Sequence, residues 1–285
     1  LKYARRFVVK KVVVLALVTL ALMVSCYTNP ETGRKSLMLF NSAQEADLGL
    51  SAFQEIKSST PRTTDAAQQE LVERVGRKIS GVVTLPNAQW EYVCFKSEEP
   101  NAFCLPGGKI GIYTAILPIT KNDAGLAAVM GHEVAHATAR HGGERMSEQL
   151  VTSLGGMALE VALANKPEQT RALALTAYGV GTTLGRALPH SRAQELEADR
   201  MGLTYMARAG YDPREAVAFW ERFKDYKGGG GGVPAFLSTH PTDDRRIAQL
   251  KNLLPDAIKE YEKSGGTSSG SNTGTPRRGG RVREK

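Results

Sequence analysis

Residues 123–141 read DAGLAAVMGHEVAHATARH, and the five residues His132-Glu133-Val134-Ala135-His136 within them decide how the rest of the chain is understood. Leu126, Val129, Met130 and Val134 recur at helical spacing, so the stretch predicts a buried helix. Positions i and i+4 share one helix face, so the imidazoles of His132 and His136 can point at a single ion. Glu133 falls at the edge of that face, where it can reach a water at the ion without ligating. Gly131 and Ala135 leave room for another backbone to approach.

Two imidazoles do not complete a catalytic zinc site, which takes three protein ligands and keeps a further position for water. His141 is the nearest candidate, but five residues past His136 it lies about 140° round the helix from the ligand face. A metzincin continuation needs a glycine at position 139 and a histidine at 142, where Ala139 and Gly142 stand. A thermolysin-like one needs a glutamate where Gly156 stands, and Glu160 nearby lacks its motif. The third ligand has to come from another segment.

Residues 191–199 read SRAQELEAD and open a further predicted helix that also carries Gly202. Together with the His132–His136 motif, this stretch resembles the CAAX-prenyl-protease type of zinc peptidase (peptidase family M48), in its bacterial periplasmic and lipoprotein branch. The resemblance implies an α+β, mainly helical gluzincin fold with a small antiparallel sheet beside the HExxH helix. It also implies one Zn²⁺ per chain, held by His132, His136 and Glu195, with Glu133 as the proton acceptor and Glu197 pointing elsewhere. Asp199, at i+4 from Glu195, is expected to hydrogen-bond a zinc histidine and fix its tautomer. Thr239-His240-Pro241, with Arg246 six residues on, resembles the family's late active-site segment. There His240 either donates to the oxyanion or caps the metal, supported by Arg246. Asn101-Ala102-Phe103 followed by Pro106-Gly107-Gly108-Lys109-Ile110 resembles the substrate-side strand. Asn101, Ala102, Gly107, Gly108, Lys109 and Ile110 are thus expected to meet an extended peptide through main-chain hydrogen bonds. The likeness covers most of residues 38–252.

Outward from these motifs, Asn41-Ser42 with Glu45 predicts a helix start, and the helix runs to about Lys57. Asp65 opens another, with Leu71, Val72, Val75 and Ile79 on one face. Trp90–Phe95 and Ile110–Ile116 read as strands of a small antiparallel sheet. From Asp123 onward the body reads helical, except for the loop containing Gly228–Gly232 and the break at Ser238–Pro241. Gln149–Leu188 is apolar but broken by Glu160, Lys166, Glu168, Arg171 and Arg186, with a stop at Pro167. It predicts two amphipathic helices packed on or near the zinc helix, not membrane spans.

The 285 residues hold 37 Lys plus Arg against 29 Asp plus Glu, a formal charge of +8; 41% are apolar and 23% charged. That balance excludes wholesale disorder and a polytopic membrane protein. The positive charge sits at the ends. Taking away five charges from residues 1–25 and a net four from 264–285 leaves −1 for residues 26–263, a near-neutral body that gives no electrostatic case for a nucleic-acid groove. The three segments are read as a lipoprotein-type signal peptide (1–25), a metalloprotease domain (26–263) and a disordered basic tail (264–285). The signal reading rests on a basic stretch to Lys11, an apolar run Val12–Val24, and Ser25-Cys26, although Met23 stands where the lipoprotein pattern prefers leucine. Cys26 is then the lipidated residue, tethering an exported protein to the periplasmic face of an outer membrane. Cys94 and Cys104 form an even pair in that oxidising compartment, either as a disulfide or as two buried thiols. The expected function is a zinc endopeptidase of the bacterial envelope acting on unfolded, misfolded or misassembled proteins. A chaperone or assembly factor with a largely latent zinc site is the alternative, and a prenyl-protein protease fits less well for want of a membrane chamber.

Overall fold

The computed structural model describes residues 26–226 and 235–267. The signal-peptide segment, the glycine-rich loop and nearly all of the basic tail lie outside the described residues. A hairpin of β1 (Cys26–Thr28) and β2 (Lys35–Leu37) leads into α1 (Ser42–Ser59). Asn41 caps α1 by accepting from the Gln44 N–H, and Gln44 Oε1 accepts from the Asn41 N–H, both at 2.9 Å. Asp65 caps α2 (Ala66–Ser80), which buries Val72, Val75 and Ile79.

The second sheet has the order β3-β5-β4, from β3 (Glu91–Phe95), β4 (Ala102–Leu105) and β5 (Lys109–Tyr113). β4 and β5 form an antiparallel hairpin whose turn holds Gly107 and Gly108 at φ 81° and 80°, the left-handed region that glycine enters at no steric cost. β3 runs parallel to β5, which corrects the expected antiparallel pairing of these two segments. The antiparallel place beside β5 is taken by β4, which directly precedes it through a tight turn. Cys94 and Cys104 therefore sit on strands either side of β5, opposite Ile112 and Ile110, more than two strand spacings, or about 9.6 Å, apart. A disulfide requires Cα atoms within about 7 Å. Both are free buried thiols, so the disulfide alternative is corrected.

After α3 (Leu117–Thr120), α4 (Asp123–Thr138) begins at Asn122, whose side chain accepts from the Gly125 N–H at 2.8 Å. Every residue from Gly125 to Thr138 is buried. β4, α2, α7 (Leu188–Arg208) and α8 (Arg214–Asp225) surround the helix. Polar side chains on such a helix must find partners, because an unpaired buried charge is costly. α4 and α7 touch through bare backbone. A Cβ on Gly131 would lie 2.8 Å from the Gly202 carbonyl oxygen, and one on Gly202 2.9 Å from the His132 amide nitrogen. This contact sets Glu195, two turns before Gly202, opposite the two α4 histidines.

α4 stops at Thr138. Arg140, at φ 60° and ψ 33°, turns the chain into α5 (His141–Ala162). α6 (Glu168–Thr182) folds back on α5, with the Tyr178 hydroxyl donating to the Thr152 carbonyl at 2.9 Å. Only the first turns of α5 pack into the core. No α6 residue is buried, and Val161 and Leu173 are 77% and 72% exposed, so this helical pair stands off the core rather than covering α4. Among the described residues no helix is long and apolar enough to cross a membrane. α9 (Ala235–Thr239) and α10 (Asp244–Lys263) return the chain to α7 and α8.

Candidate metal centre

Four buried side chains converge: His132 and His136 from α4, Glu195 from α7 and His240 just past α9, with one donor atom from each all within 4.8 Å of one another. His132 Nε2 lies 3.1 Å from His136 Nε2 and 3.3 Å from Glu195 Oε2, and His136 Nε2 lies 3.2 Å from Glu195 Oε1. His240 Nδ1 is 3.2 Å from His132 Nε2 and 3.1 Å from Glu195 Oε2. Ligands placed tetrahedrally at 2.0–2.1 Å from a zinc ion stand about 3.3 Å from one another. Nitrogen and carboxylate donors at that spacing, aimed at one point, fit a small tetrahedral cation, and zinc suits the donor set.

The ligand shell is braced from behind. Asp199 Oδ1 lies 3.0 Å from His132 Nδ1, which turns the Nε2 lone pair towards the cluster. Arg246 donates to both Asp199 oxygens at 2.7 and 2.8 Å and reaches Glu195 Oε2 at 3.1 Å, with its guanidinium stacked 4.0 Å over Trp220. Arg246 thus touches Asp199 and Glu195, and it also donates to the Pro241 carbonyl at 3.2 Å, next to His240 in the chain. Burial alone would raise the Asp199 carboxyl, but the charge of Arg246 outweighs it and holds Asp199 below its usual range. Glu195 is likewise buried, yet hydrogen bonds from His132, His136 and His240 hold it well below the carboxylate range. Burial pushes His136 well below the ordinary imidazole value, leaving it neutral. At His132 burial is overcome by Asp199 and Glu195, and the ring is pushed up to about 9. Glu133 is raised by burial; its Oε1 has no hydrogen-bond partner, and His240 Nε2 stands 3.4 Å away.

Of the expected substrate contacts, Asn101 and Ala102 stand at the start of β4, where the Asn101 carbonyl accepts from the Tyr113 amide at 3.0 Å and the Ala102 amide donates to Asn101 Oδ1 at 2.9 Å. Among the described residues β4 pairs with β5 alone, so Ala102 lies on an edge strand packed against α4, with Asn101 just before it. Lys109 and Ile110 are buried on the central strand, paired on both sides. The Gly107 and Gly108 carbonyls already accept from the Gln89 and Glu91 amides at 2.9 and 3.0 Å. These four residues are corrected: the Gly107 and Gly108 carbonyls are spent within the sheet, and Lys109 and Ile110 are paired with a strand on each side.

His141 and Glu197 belong to the centre although the sequence reading set both aside. The left-handed turn at Arg140 ends the α4 helical wheel, so His141 is not carried round to the far side. Its Nδ1 lies 2.8 Å from His136 Nδ1, and its Nε2 2.9 Å from Glu197 Oε2. Burial alone would raise Glu197, but hydrogen bonds from His141, Thr32 and Arg34 bring it down to about 2. Asn29 Nδ2 also donates to Glu197 at 2.8 Å, and Arg34 makes a paired contact with Glu144 at 2.7 Å. The available signal was the cluster of acids at 195, 197 and 199, of which the middle one had no assigned partner.

A histidine helix crossed by a second helix that brings in a carboxylate, with an acid at the rim, defines a metalloendopeptidase site of the gluzincin type. The sequence model of peptidase family M48 matches residues 66–254, and the chain belongs to that family. It is 36% identical over 193 residues to the mitochondrial metalloendopeptidase OMA1 of Schizosaccharomyces pombe, covering 68% of this chain and 55% of the relative. The Saccharomyces cerevisiae protein of the same name is 40% identical over 192 residues, 65% of this chain and 53% of its own. The beta-barrel assembly-enhancing protease of Escherichia coli K12 is 27% identical over 232 residues, 80% of this chain and 47% of its own. The chain thus spans about half the length of the curated relatives it matches. The expected periplasmic lipoprotein location is corrected, because relatives in fungi, a plant and animals are mitochondrial proteins. The lipoprotein signal itself, residues 1–25, lies outside the described residues; Cys26 is the exposed first residue of β1.

Proposed function

We propose that the protein is a zinc-dependent endopeptidase, with one Zn²⁺ per chain, that hydrolyses peptide bonds in unfolded or misassembled polypeptides. The observation that carries this reading is the meeting of His132, His136 and Glu195 donors at tetrahedral spacing with Glu133 beside them. Zinc held there supplies Lewis acidity, which lowers the pKa of water towards about 7 and polarises the scissile carbonyl. Glu133 takes the proton of the attacking water and passes it to the leaving amine; burial raises its carboxyl, which favours that exchange. Arg246 and Asp199 keep His132 turned inward throughout. The free edge of β4 suits an extended substrate held through its main chain, a mode indifferent to side-chain identity and therefore to which unfolded segment arrives.

His240 supports a restrained form of this enzyme. Its Nδ1 fills the fourth corner of the donor set, the place a catalytic site keeps for water. Hydrolysis then requires the segment carrying His240 to withdraw, and the latent state belongs to the peptidase rather than to a separate assembly role.

Digestion of reduced, unfolded casein by the full chain tests the reading. Cleavage should stop with a chelator and return with zinc, and Glu133→Gln should abolish it while retaining about one zinc per chain. Cleavage by Glu133→Gln, or cleavage that survives chelation, would refute it.

A further inference from the structure

The two α4 histidines are braced from opposite sides. His132 leans on Asp199, backed by Arg246, whereas His136 leans on His141, backed by Glu197. The second brace admits one proton arrangement compatible with a metal. His136 Nε2 faces the cluster and must offer a lone pair, so its proton sits on Nδ1. That N–H donates to His141 Nδ1, 2.8 Å away, which must then be bare. The His141 proton is therefore on Nε2, where it donates to Glu197 Oε2 at 2.9 Å. If His141 were turned or lost, nothing would hold the His136 proton on the outward side of its ring.

Glu197 is in turn fixed from outside the matched family region, which begins at residue 66. Asn29 donates to its Oε1, Thr32 and Arg34 donate to its two oxygens, and Arg34 also grips Glu144, which accepts from Gln194 at 2.7 Å. The loop joining β1 and β2 thus ends in a buried carboxylate two hydrogen bonds away from a cluster donor. An ordinary surface hairpin has no reason to send three polar side chains into one buried acid.

We propose that His141 and Glu197 are positioning residues that set the orientation and tautomer of His136, and that Asn29, Thr32 and Arg34 make the N-terminal hairpin part of the metal-site scaffold. The inference rests on the zinc reading above. Second-shell partners of this kind are worth about 10–100-fold in metal affinity.

The test measures zinc affinity of the full chain by competition with a chelating dye, together with the visible spectrum of the cobalt-substituted protein. His141→Leu removes the acceptor and should weaken zinc binding by about 10–100-fold and shift the cobalt bands. His141→Asn restores an acceptor near the Nδ1 position and should recover most of the affinity. Arg34→Lys, which keeps a cation beside buried Glu144 and Glu197 but loses the paired grip, should weaken binding less, with the metal-free circular dichroism unchanged; it keeps the proposal open to refutation if His141→Leu fails to fold. Wild-type affinity and an unshifted cobalt spectrum in His141→Leu, or in Arg34→Lys where that variant alone folds, would overturn the proposal. A wild-type chain that binds no zinc would instead bring down the zinc reading, and this inference with it.

Discussion

His240 Nε2 stands 3.4 Å from Glu133 Oε1 while the other nitrogen of the same ring lies 3.2 Å from His132 Nε2. One imidazole thus occupies both the fourth corner of the donor set and the space in front of the acid that must meet water. The ring cannot be there and admit a substrate carbonyl at once.

His240→Ala is accordingly expected to raise turnover on unfolded casein, by about tenfold for each 1.4 kcal/mol that the ring contributes to the closed state. Zinc content should stay near one per chain, because three ligands remain. A fall in turnover with zinc retained would assign His240 to the oxyanion instead.

Zinc binding should release about one proton per chain near neutral pH. With no metal, Asp199 and Glu195 push His132 up to about 9, so below that pH the ring carries a proton that it must lose before ligating. The release should fade above about pH 9. Calorimetry in buffers of different ionisation enthalpy reads the number directly, and a pH-independent value of zero would contradict the arrangement.

Gly202→Val places a side chain where a Cβ alone would meet the His132 amide nitrogen at 2.9 Å. Both neighbours are backbone, so neither can rotate away. A loss of about 1–3 kcal/mol is expected, or roughly 2–12 °C in the melting temperature of the metal-free chain. Zinc affinity should fall with it, since Glu195 rides on the displaced helix.

Cys94 and Cys104 should resist iodoacetamide at pH 8 in the native state, while Cys26 reacts. Burial pushes the Cys94 thiol up to about 11 and Cys104 higher still, and both are shut from solvent. All three should label in guanidinium without prior reduction. A requirement for reductant would restore the disulfide.

The pair that follows from spacing along one helix, His132 and His136 at i and i+4, was legible in the sequence; Glu195 and, behind it, Asp199 came from likeness to a family. Arg246 was found through likeness to a family, and its bond to Asp199 was not foreseen. His141 was lost because a helix wheel was drawn through Arg140, a residue type that gives no sign of a left-handed turn; a glycine there would have marked it. The parallel β3–β5 pair was missed for a related reason. Alternation along a strand says which face is buried but carries no direction, and β4, between them in the chain, was read as part of a substrate-side strand and not as β5's antiparallel partner. Arg34 could not be seen at all, since its partners Glu144 and Glu197 are 110 and 163 residues away.

Because α4 and α7 meet at Gly131 and Gly202 with no side chain between them, the spacing of the two helices that carry the histidines and Glu195 is set there by main-chain contact. Neighbouring core residues can therefore drift in size over evolution without detuning the chemistry. Their changes register as altered heat tolerance, a freedom that the two glycines do not share.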